Sequence, residues 1–236
     1  MNAAVGSSAQ HDDLSGLASR LQCVQDAIVD ATRSAGRDPS EITTIVVTKF
    51  HSLDLIRELH ALGVRDFGEN RHQEARDKAA ATTGLELNWH FVGQLQSKKA
   101  RQVRAYAHVI HSLDRPSVID ALHSDDEVVD CFVQLNLTDD STRGGVVDSE
   151  LEVVTERILA TAGIHLLGVM AVAPLEAEPR RAFASVRAAS KRVIALAPEA
   201  RFISAGMSAD FADAIAEGAT HLRIGTAITG NRPAAG

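Results

Sequence analysis

The stretch that decides the fold is TTIVVTK at residues 43–49, a short β-branched run that ends in a single lysine. β-Branched residues favour strands, and a strand buried on both faces of a parallel sheet is nearly continuously apolar. The run therefore predicts a buried parallel strand from which Lys49 emerges. Ligands of parallel α/β folds bind at the carboxyl ends of strands, so Lys49 is a candidate ligand-binding amine. The competing interpretation is an ordinary solvated charge.

Seven further strand-like runs follow, and a helical pattern separates each one from the next. They lie at residues 64–67, 88–92, 108–112, 128–135, 164–170, 201–204 and 221–224. Strict alternation of strands and helices implies a parallel sheet. Eight such units in a chain of this size predict a single α/β domain, a closed (β/α)8 TIM-type barrel, since that fold typically has about 250 residues. An open doubly wound sheet is the alternative, but no GxGxxG fingerprint follows the first strand.

The sequence before the first strand predicts one extra N-terminal helix. Apolar residues recur at three- and four-residue steps from Leu14 to Ile28, and Gly36 and Pro39 stop the pattern. The polar residues 1–13 and the tail at residues 231–236 are expected to be flexible. We therefore predict one barrel domain over residues 14–230.

Composition limits the classes of function. The 236-residue chain is 45% hydrophobic and 23% charged, with a net charge of −7, which is typical of a soluble globular protein and disfavours nucleic acid as a partner. Cys23 and Cys131 lie far apart, which argues against a disulfide or a metal site and suits a cytoplasmic location. The N-terminus lacks a signal-peptide pattern, and the longest apolar stretch, residues 164–173, is too short to span a membrane.

Two stretches near the C-terminus have the pattern of a phosphate site. Gly225 and Thr226 follow the eighth strand and open a short helix, whose first N–H groups attract an anion. Ser204 and Gly206 end the seventh strand, and barrels often hold a phosphate with the loops after strands seven and eight. An ordinary turn with a helix cap is the competing interpretation. Ser208 is expected to cap the helix that follows strand seven.

Lys49 and this phosphate site are neighbours across the closing seam of the predicted barrel. A ligand that needs both an amine-reactive carbonyl and a phosphate anchor is pyridoxal 5'-phosphate, whose aldehyde forms a Schiff base with a lysine. Arg223, two residues before Gly225, is expected to face the ring nitrogen. A guanidinium stays charged at any working pH and would keep that nitrogen unprotonated, which weakens the ring as an electron sink.

Six motifs occur in order, and together they resemble the pyridoxal phosphate homeostasis protein family, small relatives of the alanine racemase barrel domain. They are TK at 48–49, FGEN at 67–70, WHFVGQLQSKK at 89–99, GVM at 168–170, SAGMS at 204–208 and RIGTAI at 223–228. The resemblance covers residues 42–230 and implies a barrel that carries the cofactor on Lys49, with Arg223 near the pyridine nitrogen. The residues that it implies for the phosphate are Ser204, Gly225 and Thr226, and those that it implies for the pocket lining are Asn70, His90, Met170 and Gly206.

The resemblance leaves three hypotheses for function. Racemases of this kind use a second domain and a tyrosine base, whereas this chain is expected to have no room for that domain, and its only tyrosine, Tyr106, is expected on the helix after strand three. A positioned acid or base is worth about 10²–10⁴ in rate, and a chain without the second one would catalyse little amino-acid chemistry. The favoured hypothesis is therefore a non-enzymatic carrier. It would hold pyridoxal phosphate as a Schiff base and buffer it or deliver it to apoenzymes. The alternatives are a low-activity racemase or decarboxylase, and a phosphosugar-type barrel in which Lys49 is incidental.

Four other polar residues are expected to be structural or solvated. His108 and His111 alternate on the fourth strand and are expected to be structural. Lys98 and Lys99 lie at a helix start and are expected to be surface charges, unless an anionic partner binds there.

Overall fold

The eight strands of this protein are parallel and close into a barrel in chain order, β8 pairing with β1. The computed structural model describes residues 7–138, 140, 143–174 and 176–231, with side chains from residue 16 onward. The predicted (β/α)8 fold is confirmed. The strands are β1 (Thr43–Val47), β2 (Asp66–Glu69), β3 (Asn88–Phe91), β4 (Val109–Leu113), β5 (Val129–Gln134), β6 (Ile164–Met170), β7 (Phe202–Ser204) and β8 (His221–Ile224).

Helices alternate with the strands and cover the outside of the barrel. They are α1 (Ser7–Ser34), α2 (Leu53–Ala61), α3 (His72–Ala81), α4 (Ala100–Arg104), α5 (Pro116–Ala121), α6 (Leu151–Leu159), α7 (Pro179–Leu196), α8 (Phe211–Ala216) and α9 (Thr226–Thr229). Apolar side chains of the strands and helices form the main core between the two layers. Phe67 and Trp89, for example, are both buried, and their rings lie 5.8 Å apart.

The barrel interior differs from this outer core because many of its side chains are polar. Side chains of a strand alternate between its two faces. A Cβ on Gly68 would lie 3.0 Å from the Ile45 side chain and 3.1 Å from that of Val47, so these two residues of β1 share the face of Gly68. Across the same interior, β3, β4, β7 and β8 contribute a chain of hydrogen-bonded histidine, serine and arginine side chains. Bulky aliphatic residues more often fill this space in such barrels.

The predicted extra N-terminal helix is present, and it braces the closing seam. The Arg20 Nε of α1 donates to the Ile228 carbonyl at 2.8 Å. In the loop that follows α1, the Arg37 Nη1 donates to the carbonyls of Ile215 and Ala219 at 3.0 and 2.7 Å. The helix begins at Ser7, seven residues before the predicted start at Leu14. Residues 1–6 and 232–236 lie outside the described residues.

Some boundaries differ from the sequence prediction. β2 begins at Asp66 and ends at Glu69, two residues later than predicted at either end. The prediction that Ser208 caps the following helix is wrong, since α8 begins at Phe211 and Asp210 occupies its cap position. The Asp210 carboxylate instead accepts a 2.6 Å hydrogen bond from the Met207 N–H, which closes the turn between strand and helix.

Candidate functional site

Lys49 lies two residues beyond the end of β1, and its side chain is exposed. By alternation it continues the inward-facing row of Ile45 and Val47. The next residue, Phe50, has a φ of +68°, a left-handed conformation that is uncommon outside glycine and typical of functional sites. The backbone therefore turns sharply directly after the lysine, at the carboxyl end of the strand.

Arg223 lies on β8, directly across the seam from β1. It pairs in register with Ile45, only 6% of its surface is exposed, and burial lowers the pKa of its guanidinium to about 10. Its Nη1 donates to the Ser204 hydroxyl at 2.6 Å, and its Nη2 donates to the Ala171 carbonyl at 2.8 Å. Both acceptors are uncharged, and no carboxylate of the described residues lies within 4.0 Å of the guanidinium. A buried cation without a paired anion is costly, which points to a missing electron-rich partner.

Ser204 is the point where this arginine joins the histidines of the interior. Its completely buried hydroxyl shares a 2.9 Å hydrogen bond with His111 Nδ1, and His111 Nε2 lies 3.0 Å from His90 Nδ1. His90 Nε2 in turn lies 3.1 Å from the Asp66 carboxylate. Burial, followed by the charges of His90 and Arg223, holds the pKa of His111 well below its usual range, so His111 is neutral. Ser204 thus contacts two protein groups through the hydroxyl that the sequence assigns to a phosphate.

Gly225 and Thr226 open α9 directly after β8, as predicted. A Cβ on Gly225 would lie 3.7 Å from the Val47 carbonyl oxygen and 3.8 Å from Val47 Cβ, so this glycine faces the end of β1 with ordinary contact distances only. The first N–H groups of a helix have no acceptor inside it. The predicted phosphate-binding backbone and the predicted tether at Lys49 are therefore brought to the same seam.

Two further predicted lining residues lie around this end of the barrel. Met170 is buried, pairs in register with Ser204, and packs inside the barrel with Val109 and Phe132. Gly206 has a φ of +93°, and a Cβ there would come within 2.8 Å of the Ala214 Cβ, so the glycine is required by conformation and space.

Asn70 follows β2 and carries a polar atom without a partner. Its Oδ1 is buried and has no hydrogen bond among the described residues. An orphaned buried polar atom calls for an explanation, and a bound ligand is one. The Asn70 oxygen and the Arg223 guanidinium, which has no carboxylate partner among the described residues, are both suited to a ligand with hydrogen-bonding groups.

A cluster of ionisable residues that the sequence analysis missed lies beside Lys49, between β2 and α3. Lys78 is buried and donates to Glu69 and Glu74, and Glu69 also accepts from the Thr48 hydroxyl. One part of the cluster could be inferred from the sequence, because Glu74 and Lys78 are four residues apart on a helix, the spacing of an ion pair. Nothing in the sequence shows that Glu69 faces outward to meet them.

The other polar residues singled out in the sequence lie on both sides of the barrel. Lys98 and Lys99 follow the carboxyl end of β3, and Lys99 lines a groove together with Asn70. His108 Nδ1 accepts a 3.0 Å hydrogen bond from the Trp89 N–H. Tyr106 lies in the turn after α4, not on the helix itself, and lines a cavity of about 940 Å³ at the amino ends of β2 and β3. Lys98 is exposed, and Lys99 Nζ donates to Gln102 at 3.3 Å. No helix within the described part of the chain is long and apolar enough to cross a membrane.

Comparison with known proteins agrees with this geometry. The model of the family described as alanine racemase, N-terminal domain, matches residues 26–233. The pyridoxal phosphate homeostasis protein of Pseudomonas aeruginosa is 34% identical over 223 residues, covering 93% of this chain and 97% of the relative.

Two solved structures place the fold among proteins of different length. PipY of Synechococcus elongatus PCC7942, solved with pyridoxal phosphate bound, is 33% identical with a TM-score of 0.77, covering 90% of this chain and 99% of PipY. Alanine racemase of Corynebacterium glutamicum, at 21% identity and a TM-score of 0.63, shares the fold over 90% of this chain but only 62% of the racemase. This chain therefore belongs to the alanine racemase N-terminal domain family, and within it to the pyridoxal phosphate homeostasis proteins.

Proposed function

We propose that this protein binds pyridoxal 5'-phosphate and holds it reversibly, with Lys49 as the covalent anchor. The observation that carries the proposal is the buried Arg223 guanidinium, which has only uncharged acceptors and lies across the seam from β1. The pyridine nitrogen of the cofactor is an electron-rich acceptor of the kind that this cation lacks. When bound, pyridoxal phosphate supplies an aldehyde that condenses with a primary amine and releases water.

Each residue at the strand ends is assigned to a different part of the cofactor. Arg223 would hold the ring nitrogen in its unprotonated form, because a guanidinium is a donor that does not give up its proton at neutral pH. The phosphate is assigned to the N–H groups of Gly225 and Thr226. Asn70 Oδ1, which is buried without a partner, supports a contact of Asn70 with the cofactor.

The roles proposed for Ser204, His90, Met170 and Gly206 follow from their packing. Ser204 positions Arg223 through a 2.6 Å hydrogen bond, and His90 supports Ser204 through His111. Met170 and Gly206 would shape the surroundings of the cofactor, one as a buried apolar side chain and one as a backbone turn. In this arrangement Ser204 contributes to the site through Arg223, and a direct contact with the phosphate is the prediction to be tested.

The same arrangement favours a carrier over an efficient enzyme. Racemisation needs an acid or base on each face of the reacting carbon. Tyr106, the only tyrosine in the chain, packs in the outer layer of the barrel, where its hydroxyl contacts His72 of α3. Burial raises the pKa of the Tyr106 hydroxyl far above its usual range, so it keeps its proton. We propose that the protein buffers the cofactor or delivers it to apoenzymes, and that it works in the cytoplasm.

The test is to load the purified protein with pyridoxal phosphate and record its absorbance spectrum. We expect the yellow absorbance of an imine, its loss in Lys49→Ala, and a borohydride-reduced adduct that peptide mapping places at residue 49. Addition of D- and L-amino acids should produce no steady change of enantiomer and no decarboxylated product. An adduct at any other residue would overturn the assignment of Lys49, and steady turnover would identify a low-activity racemase or decarboxylase instead. A protein that takes up no cofactor would favour the phosphosugar-type barrel.

A further inference from the structure

The peptide groups on both sides of Lys49 are hydrogen-bonded to charged side chains of α3. The Thr48 carbonyl, which precedes Lys49, accepts a 2.8 Å hydrogen bond from Lys78 Nζ. The Phe50 N–H, which follows Lys49, donates to Glu74 Oε1 at 2.6 Å. Hydrogen bonds with one charged partner are stronger than those between neutral groups. The backbone of the proposed anchor is thus fixed from outside the barrel at both of its peptide bonds.

Lys78 holds this arrangement together and has no donor to spare. Its ammonium group has three donors, and they go to the Thr48 carbonyl, to Glu69 Oε1 and to Glu74 Oε1, at 2.8, 2.7 and 2.7 Å. Its side chain is only 7% exposed. The stem of a lysine is flexible, but an ammonium with three fixed acceptors in a buried site is held in one position.

Glu69 ties the cluster to the strand that neighbours β1. It accepts from the Thr48 hydroxyl at 2.8 Å and from Lys78, while its second oxygen, Oε2, is buried with no partner among the described residues. Burial raises the pKa of its carboxyl group above the ordinary value, even though Lys78 and Thr48 act in the opposite direction. A buried carboxylate that is only half satisfied destabilises the fold, so packing alone does not account for a glutamate here.

The backbone held by this cluster is strained. Phe50 has a φ of +68°, and such a conformation costs on the order of 1 kcal/mol or more for a residue with a side chain. The Glu74 bond to the Phe50 N–H stabilises that turn, and the Arg71 guanidinium packs over the Phe50 ring at 4.7 Å. Strain of this kind persists only where the surroundings fix it, and it determines the direction in which the Lys49 side chain leaves the strand end.

We propose that Lys78, Glu74 and Glu69 are positioning residues for Lys49. They touch neither the cofactor nor the reacting amine. They fix the two peptide bonds that flank the lysine, so that its Cα–Cβ bond directs the side chain toward the position of the aldehyde carbon. Pre-orientation of this kind speeds addition of the amine to the aldehyde and the loss of water, and it does little for the binding of a ring and a phosphate elsewhere in the site. This proposal rests on the function proposed above, in which Lys49 is the anchor.

The test separates capture of the aldehyde from binding of the rest of the molecule. Pyridoxal 5'-phosphate reports the rate of imine formation at Lys49. The analogue 4'-deoxypyridoxine 5'-phosphate, with a methyl group in place of the aldehyde, reports the affinity of the non-covalent site. In Glu74→Ala and Lys78→Met we expect imine formation to slow by about ten- to a hundredfold, while the affinity for the analogue changes less than threefold.

The chain offers a conservative variant and a matched control for these measurements. Glu74→Gln keeps an oxygen that accepts from the Phe50 N–H, so it should recover most of the rate. Asp77→Ala removes a carboxylate of the same helix that is 60% exposed and bonds only to side chains of α3, and its rate should equal that of the wild type. Glu74 is partly exposed, so its variants keep the proposal testable even if Lys78→Met does not fold.

Two results would overturn the proposal. Imine formation at the wild-type rate in Glu74→Ala would show that the cluster does not position Lys49. An equal loss of analogue affinity and of imine formation would show that the cluster supports the whole site and has no special effect on the lysine. Failure of the wild-type protein to form an adduct at residue 49 is a different outcome, since it would remove the proposed function and not this inference alone.

Discussion

Two buried cations of this barrel, Lys78 and Arg223, have opposite environments. Lys78 lies outside the sheet, against two carboxylates and one carbonyl. Arg223 lies inside the barrel, against one hydroxyl and one carbonyl, and Asp210 supplies a favourable charge only through space. A buried charge has to be compensated, and only Lys78 is compensated by the protein itself. The difference supports the proposal that Lys78 serves the architecture of the site and that Arg223 binds the ligand.

The largest expected effect is on the stability of a Lys78→Met variant. Methionine fills a similar space but leaves Glu69 buried and Glu74 partly buried without their cation, and loss of one partner of a buried ion pair costs about 3–5 kcal/mol. Urea unfolding of the cofactor-free protein measures the change in the free energy of unfolding. Arg57→Met is the matched control, because it removes an exposed partner of Asp54 and should cost less than about 1 kcal/mol. Equal losses in the two variants would contradict the compensation argued for Lys78.

Arg223→Met should have the opposite profile, with a large effect on ligand binding and a small one on the cofactor-free fold. The variant removes a buried charge that the protein does not pair, and Ser204 keeps its hydrogen bond with His111. We expect the stability of the cofactor-free protein to change by less than about 1.5 kcal/mol. The added stability in saturating pyridoxal phosphate, which is about 2.7 kcal/mol at a hundredfold excess over Kd, should largely disappear.

A control for this variant is another arginine that donates to backbone carbonyl groups. Arg37→Met removes the hydrogen bonds to Ile215 and Ala219 at the amino end of the barrel, away from Lys49. It should lower the stability of the cofactor-free protein and leave the ligand-induced increase intact. If both variants lose that increase, the effect of Arg223 is a general loosening of the seam and not the loss of a ligand contact.

Acid should destabilise the protein by protonating His221, which lies on the same strand as Arg223. Burial, followed by the charge of His90, lowers the pKa of His221 to about 4 in the folded protein, from an ordinary value of 6.5. A base with a depressed pKa is stabilising in its neutral form, so its contribution is complete above pH 6.5 and is lost as the pH falls toward 4. Thr220, Asp66 and Arg223 also face or influence this imidazole, and only Asp66 favours its protonation.

The measurement is the free energy of unfolding between pH 7 and pH 4. The wild type should lose on the order of 2 kcal/mol more than His221→Leu over this range. Equal slopes would mean that His221 takes up its proton without cost in the folded protein.

The cluster of Lys78 should contribute in the other direction, because the raised pKa of Glu69 stabilises the fold at low pH and this contribution falls as the pH rises above 4.5.

The sequence predicts the fold and several residues of the candidate site, for physical reasons that particular residues make clear. The β-branched run of β1 and the alternation of strands and helices are enough to predict the barrel, because local propensity agrees with tertiary position at these residues. Lys49 and Arg223 are predictable because a strand end and its register place them. The hydrogen-bond partners of Ser204 are not predictable, because one of them, His111, lies on β4, three strands away from β7 in the sheet.

The cluster around Lys78 was missed for a related reason. Its acidic residues, Glu69 and Glu74, look like ordinary charges of a strand end and a helix, and only the packing of α3 on β2 shows that they are buried with Lys78. The turn at Phe50 left no signal either, because a positive φ at a phenylalanine runs against local preference. Features that arise from long-range contacts or from strain cannot be found in a single sequence.

The smallest expected effect concerns Tyr106, which packs against α3 outside the barrel. The Tyr106 hydroxyl makes one long contact, 3.4 Å from His72 Nδ1, and its ring stacks on that histidine with centroids 5.9 Å apart. Tyr106→Phe keeps the ring and removes a weak hydrogen bond, so the loss of stability should be below about 1 kcal/mol. Since the hydroxyl contacts His72 in the outer layer of the barrel and keeps its proton, the rate of imine formation and the response to amino acids should be those of the wild type. A change in either would mean that the tyrosine reaches the reacting end of the barrel, and the division of roles between Lys78 and Arg223 would then leave out a third participant.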